Sequence, residues 1–201
     1  MFHTLKLLQL LANRMKVITR MPNTYKSHCD GCPYTGARHL STDDKKTRST
    51  PLSMENNRAS VLLIFQAPGV DEWKTGLPIS SEAAGSTGKR LVEAFGKVGK
   101  TRKDFNITNC VQCFPGKRLA TSSALSRDNP PAAEARVRCY QWLLEDIRAA
   151  QYKRIVVFGT VAKAVLLRHY KGDTEHFKFI KHPAGGLSSD VLLDALRPSQ
   201  S

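Results

Sequence analysis

"VLLIFQAPGVDEW", residues 61–73, decides how this chain reads. An unbroken apolar run ends at Phe65, and Gln66, Ala67, Pro68 and Gly69 follow before the acids Asp71 and Glu72. A short apolar run bounded by turn residues marks a buried strand. A Pro-Gly pair ends regular structure, so the chain turns where polar groups begin. An amide, a sharp turn and two carboxylates therefore stand at the mouth of a buried strand.

Outward from this stretch, strand and helix signals alternate. After the strand at 60–66, residues 83–98 carry Leu91, Val92, Phe95 and Val98 on one helical face. "FNITNCVQC", 105–113, is β-branched and predicts a strand. From Pro131 a helix is signalled by Pro at its start, Glu134 early, and Ala135, Cys139, Leu143 and Ile147 along one face. "RIVVFG" (154–159), "TVAKAVLLRHY" (160–170), "FKFIKHP" (177–183) and "SSDVLLDALR" (188–197) continue as strand, helix, strand and helix, with Ser188 or Ser189 capping the last. This rhythm predicts an α/β fold, a parallel sheet covered by helices on both faces. Such sheets bind ligands in the crevice beyond the carboxyl ends of their strands. Those ends carry Gln66-Ala67-Pro68-Gly69, Asn109, Gly159 and His182-Pro183.

The chain's 201 residues are enough for one buried domain, and we expect residues 1–201 to form one. Within it, 1–28 reads as an N-terminal helix or extension, and 36–58 and 116–130 as polar loops. "FHTLKLLQLLA" (2–12) is interrupted by Lys6 and lacks a small-residue cleavage site, so it predicts an amphipathic helix, with Leu8, Leu11, Ala12 and Met15 at helical spacing, rather than a signal peptide. No run is long enough to span a bilayer, and the expected setting is the cytoplasm. The net charge of +14 points to a polyanion partner, and nucleic acid is the commonest.

The cysteines are Cys29, Cys32, Cys110, Cys113 and Cys139. In a cytosolic chain, paired spacing favours metal over disulfide. "CDGC" is a two-ligand hook, and "CVQC" resembles a second. Side chains three apart on a strand point to opposite faces, so Cys110 is expected in the core while Cys113 leaves into a loop. Cys139 on the next helix is then the fourth partner. Cys29, Cys32, Cys113 and Cys139 suit zinc or an iron–sulfur cluster, and spacing alone does not choose.

Taken together, "CDGC", "FQAPGVDE", "TGLP", "ITNCVQCFP", "EARVRC", "VVFG" and "HPA" run in the order found in a known family. From residue 29 to about 190 the chain resembles the iron–sulfur-containing, family 4 uracil-DNA glycosylases of the uracil-DNA glycosylase superfamily. The resemblance implies a three-layer α/β/α fold around a four-stranded parallel sheet. It also implies a [4Fe–4S] cluster on Cys29, Cys32, Cys113 and Cys139, with zinc the alternative cofactor. Hydrolysis of the N-glycosidic bond of uracil in single- or double-stranded DNA, by a monomer, follows from it too.

Carried residue by residue, the resemblance makes Asn109 the reader of the uracil edge and His182 the donor to the uracil anion. Asp71 and Glu72 become candidate carboxylates for the sugar cation and the attacking water. Ala67, Pro68 and Gly69 let the backbone approach the base. Gln66 stands where the family has Glu, and Ile79 where it has the Phe that stacks on the flipped base. These two departures leave a non-catalytic DNA-binding iron–sulfur protein as the second reading. "AGSTGKR" (84–90) fails as a P-loop because Arg90 stands where Ser or Thr would hold Mg²⁺. Gly85, Gly88 and Lys89, with "KTRK" (100–103) and "GKR" (116–118), remain candidate phosphate contacts.

Overall fold

The computed structural model describes residues 29–118 and 128–197. The helix expected within 1–28 and the middle of the 116–130 loop lie outside these residues. Strands β1 (Val61–Phe65), β2 (Asn106–Asn109), β3 (Arg154–Phe158) and β4 (Phe177–Ile180) form one sheet in the order β2-β1-β3-β4. Every pairing is parallel, as expected. Six helices accompany the strands among the described residues: α1 (Thr42–Thr47), α2 (Val70–Thr75), α3 (Thr87–Lys97), α4 (Ala133–Arg148), α5 (Thr160–His169) and α6 (Ser189–Leu196).

Alternation along the central strands sorts the core into two layers. Leu63 and Phe65 of β1, with Val156 and Phe158 of β3, pack under α3 and α6. Leu62, Ile64, Ile155 and Val157 face the other way, onto α4 and α5. Both faces are buried, so the strands read as continuous apolar runs. The Phe65 and Phe158 rings stack at 4.3 Å with planes 4° apart, adding ~1 kcal/mol to the area they bury. After β1 the chain pairs β2 on one side of it and then crosses over to β3 on the other. That reversal opens a crevice at the carboxyl end of β1.

Several expectations need correction. The 36–58 segment is not all loop. Ser41 caps α1 by accepting from the Asp44 N–H at 3.2 Å, and Asp43 and Asp44 occupy its first turn, where the helix dipole favours acids. Glu55 also bridges to Ile107, continuing the sheet's hydrogen bonding. The strand expected over 105–113 stops at Asn109. Val92 is 57% exposed, so the buried face of α3 is Leu91, Ala94 and Phe95. Ser188 stands at the N-cap of α6 without a capping hydrogen bond from its side chain.

Asp146 of α4 ties that helix to β2, accepting from Thr108 Oγ1 at 2.5 Å and Gln112 Nε2 at 3.3 Å. Burial pushes its pKa up to about 6, against ~3.9 in an unfolded chain. A carboxyl raised on folding stabilises fully below the unfolded value, and that contribution is lost as pH rises through the folded one. This group should therefore cost up to about 3 kcal/mol as pH rises from ~4 to ~6. Asp146→Asn should flatten that limb in urea denaturation followed across the range; an unchanged slope would show that Asp146 ionises as freely as in the unfolded chain.

Candidate active site

The carboxyl ends of β1 and β2 are locked in register, Phe65 opposite Asn109. Beyond the strands the ladder runs two bonds further, Cys110 N–H to Phe65 O at 2.7 Å and Val111 N–H to Gln66 O at 3.0 Å. Asn109 is 2% exposed, yet neither its Oδ1 nor its Nδ2 has a partner. A buried amide with both ends unsatisfied costs a few kcal/mol.

His182 comes to the same end from β4. Its ring meets Phe65 edge-on at 6.1 Å, and a side chain at Gly159 would press on its Cβ at 3.3 Å. The imidazole caps the short helical turn Pro183–Gly185, Nδ1 accepting from the Ala184 N–H at 3.3 Å. Burial first, and the Arg90 charge second, lower its pKa below the usual histidine value. A neutral ring with Nδ1 accepting carries its proton on Nε2. No described residue takes that donor.

The turn after β1 supplies the acids. Pro68 is buried, and Gly69 is the N-cap of α2. A Cβ on Gly69 would lie 2.6 Å from Glu72 Oε2 and 3.1 Å from Asp128 Oδ2. Two carboxylates thus bracket this turn, and a side chain at Gly69 would have to move them. Glu72 is 7% exposed, and its carboxylate has no hydrogen-bond partner among the described residues. Asp71 accepts from Ser81 Oγ at 2.7 Å. Asp128 is exposed as a residue, but desolvation of its carboxyl end raises its pKa; Lys117 opposes the rise, and Glu72 and Asp71 add to it. The Gln66 side chain is half-buried beside them and unpaired among the described residues. Ala67 packs away from the crevice, toward the third cluster of the core.

Ile79 follows the TGLP stretch. It is 4% exposed, packed in the core with Leu91 and Phe95, and its backbone is left-handed at φ 52. Arg102 holds this segment by donating to Ile79 O at 2.9 Å and to Pro78 O. The 84–90 segment also proves structural. Ser86 caps α3 on the Lys89 N–H at 3.2 Å, and a Cβ on Gly88 would lie 2.3 Å from Ser81 O. Arg90 donates to Pro183 O and, at 2.8 Å, to Leu187 O, clamping α3 to the loop that carries His182.

Asp128 and Arg90 are the residues that spacing did not reveal. Asp128 reaches Gly69 only because the neck of the 116–130 loop closes, with Lys117 bridging Asp128 and Asn129 N–H donating to Gly116 O at 2.8 Å.

A second centre lies behind the turn. Cys29, Cys32, Cys113 and Cys139 line one cavity of about 180 Å³, together with Tyr34 and Pro51. All the cysteines are free thiols, and Cys110 is packed apart, against Leu62, Ile64 and Leu143. Gly31, at φ 68, makes the turn of the CxxC hook, and Cys32 N–H bonds back to Cys29 O at 3.0 Å. Burial raises the pKa of Cys29 and Cys113 and pushes Cys139 up to about 12. A hydrogen bond from the Trp142 side chain acts the other way on Cys29. Among the described residues no group of three or more His, Cys, Asp or Glu converges to hold a metal ion. The thiols surround a volume rather than a point.

Comparison with known proteins follows this geometry. The family model of the uracil DNA glycosylase superfamily matches residues 53–196. This chain belongs to that superfamily. The type-4 uracil-DNA glycosylase of Archaeoglobus fulgidus is 31% identical to it over 117 residues, 58% of this chain and 51% of that protein. The chain thus spans about half the length of this curated relative. Both the crevice and the sheet fall inside the superfamily match, whereas the CxxC hook precedes it.

Arg90→Met should raise the His182 pKa, because it removes a cation beside the ring, and destabilise the fold by about 1–2 kcal/mol through the lost charged hydrogen bonds. An NMR titration of the His182 ring proton checks the first effect; an unmoved titration would show that Arg90 acts on the loop alone.

Proposed function

We propose that this chain is a DNA glycosylase that hydrolyses the N-glycosidic bond of uracil, or of a related deaminated base, flipped into the crevice at the end of β1. The carrying observation is Asn109, a buried amide with both polar ends unpaired. Uracil presents an N3–H donor beside an O4 acceptor, and an amide answers both, Oδ1 taking N3–H and Nδ2 giving to O4. Cytosine presents the reverse pair. Flipping costs a few kcal/mol, which binding in such a pocket offsets.

Breaking the C1′–N1 bond leaves its electron pair on uracil, as an anion spread onto O2, and an oxocarbenium-like sugar. His182 Nε2–H donates to O2, a preorganised donor in a desolvated site. Water adds its hydroxyl to C1′, and its proton ends on the released base. Glu72 and Asp128, with Asp71 behind them, face the sugar as the groups that steady positive charge and orient that water. Pro68 and Gly69 let the backbone lie against the base, and Gln66 adds a neutral amide where relatives of this type carry an acid. The chain's excess positive charge holds the DNA, single- or double-stranded. We read the working unit as a monomer.

We infer further that Cys29, Cys32, Cys113 and Cys139 hold a [4Fe–4S] cluster. Four soft thiol donors around one cavity of about 180 Å³, in a chain that resembles the iron–sulfur uracil-DNA glycosylases, support this reading. When bound, the cluster supplies cross-linking, not chemistry. The thiols then fasten the N-terminal hook to α4 and to the segment that follows Asn109.

Two experiments test these assignments. Uracil-containing single- and double-stranded oligonucleotides, incubated with the protein and then treated with alkali, should break at the uracil. Asn109→Asp should lower that excision by at least about tenfold to a hundredfold, the worth of one or two hydrogen bonds in a buried site. Unchanged excision would remove Asn109 from the reader role, and no breakage by the parent protein would leave binding alone. The purified protein should be brown and contain iron. Cys139→Ser should lose the iron and Cys110→Ser should keep it; a colourless, zinc-loaded protein would end the cluster assignment.

A further inference from the structure

The opposite end of the sheet carries a second concavity that base excision does not use. A cavity of about 420 Å³ opens where β1, β2 and β3 begin, within the ~300–1,000 Å³ range of small-ligand sites. Arg58, Lys100, Lys103, Lys153 and Arg154 line it, and Asp104 is the acid among them. Strands of four to five residues, at ~3.3 Å per residue, put it about 13–17 Å from the crevice. A nucleic acid strand with its base in the crevice crosses the other pole of the molecule.

The charges here are not balanced by the protein. Asp104 is taken up by Thr101, whose N–H and hydroxyl donate to Oδ2 at 2.8 and 3.0 Å, and by Lys100 at 3.4 Å. Arg154 is turned onto the carbonyls that end α6, Arg197 O at 2.7 Å among them. Arg58, Lys103 and Lys153 are exposed and have neither ion pair nor side-chain hydrogen bond among the described residues. Like charges gathered around one concavity repel, and an anion relieves that repulsion.

The loop that presents Arg58 is built rather than loose. Asn106, 1% exposed, accepts on its Oδ1 from both Asn57 N–H at 2.8 Å and Ala59 N–H at 3.1 Å. Its Nδ2 donates to Tyr152 Oη at 3.0 Å. Pinned on both sides, Arg58 is held in the left-handed region at φ 57, a conformation that costs a non-glycine residue free energy.

We propose that this cavity binds a compact, phosphate-rich anion, a di- or triphosphate group, through Arg58, Lys103 and Lys153. Cations around one hollow suit clustered phosphoryl oxygens, whereas a nucleic-acid backbone needs a groove that tracks its spaced phosphates. Calorimetric titration of the full chain with inorganic tripolyphosphate tests this. One saturable site is expected, weakened by raised salt and by roughly tenfold or more in Lys103→Gln/Lys153→Gln, with Arg58→Gln weakening it in the same direction. All three side chains are exposed, so the variants should keep the parent circular dichroism. Absence of binding, or equal affinity in parent and double variant, would overturn the site. So would an undamaged oligonucleotide that loses affinity in the double variant as steeply as tripolyphosphate, which would make the cavity part of the nucleic-acid footprint.

Discussion

The pairing of β1 with β2 is the constraint on which both centres depend. Phe65 O and Gln66 O accept from Cys110 and Val111, so the ladder outlasts the strands by two residues. Side chains alternate along that ladder, and a slip of one residue would exchange the faces. In the observed register Asn109 meets the crevice, Cys110 fills the core under α4, and Cys113 reaches the thiol cavity beyond. One set of backbone hydrogen bonds therefore places the amide of one centre and a thiol of the other. The thiol cavity in turn joins Cys113 to Cys139 on α4, and α4 holds β2 through Asp146.

The fold was legible because its signal is local. Continuous apolar runs and amphipathic stretches repeat down the chain, and parallel strands buried on both faces leave that pattern wherever they occur. The division of the cysteines was legible for the same reason, since strand alternation separates Cys110 from Cys113. The crevice was only partly so. Gln66, Gly69, Asn109 and His182 stand at predicted strand ends, and a strand end is visible in sequence. Asp128 is not at one. It arrives across a loop whose closure depends on Lys117 and Asn129, and no period announces a contact of that kind. Ile79 was placed by motif alone, and its packing in the cluster that holds Phe65 is not something a motif shows.

Charge is distributed around the crevice with a consistent sign. His182 is kept neutral by burial and by Arg90, and that neutrality, with Nδ1 already accepting, fixes its free proton on Nε2. Arg90 performs two tasks through one guanidinium: it clamps the loop by the Pro183 and Leu187 carbonyls and sets the field at the ring. On the opposite side Asp71, Glu72 and Asp128 concentrate negative potential at Gly69. Fixed dipoles and charges are worth more in a desolvated site than in water.

That polarity also gives Gln66 a physical rationale. An acid at position 66 would add a carboxylate to a turn that already holds Glu72 and Asp128 close together, with Asp71 contributing to the field. Desolvation raises the Asp128 pKa, and the charges of Glu72 and Asp71 add to that rise. A further acid would push one of the group toward its neutral form and return little negative potential. With an amide at 66 no further carboxylate joins Glu72 and Asp128 beside Gly69. The glycine between them lets both carboxylates approach, since a Cβ there would lie 2.6 Å from Glu72 Oε2.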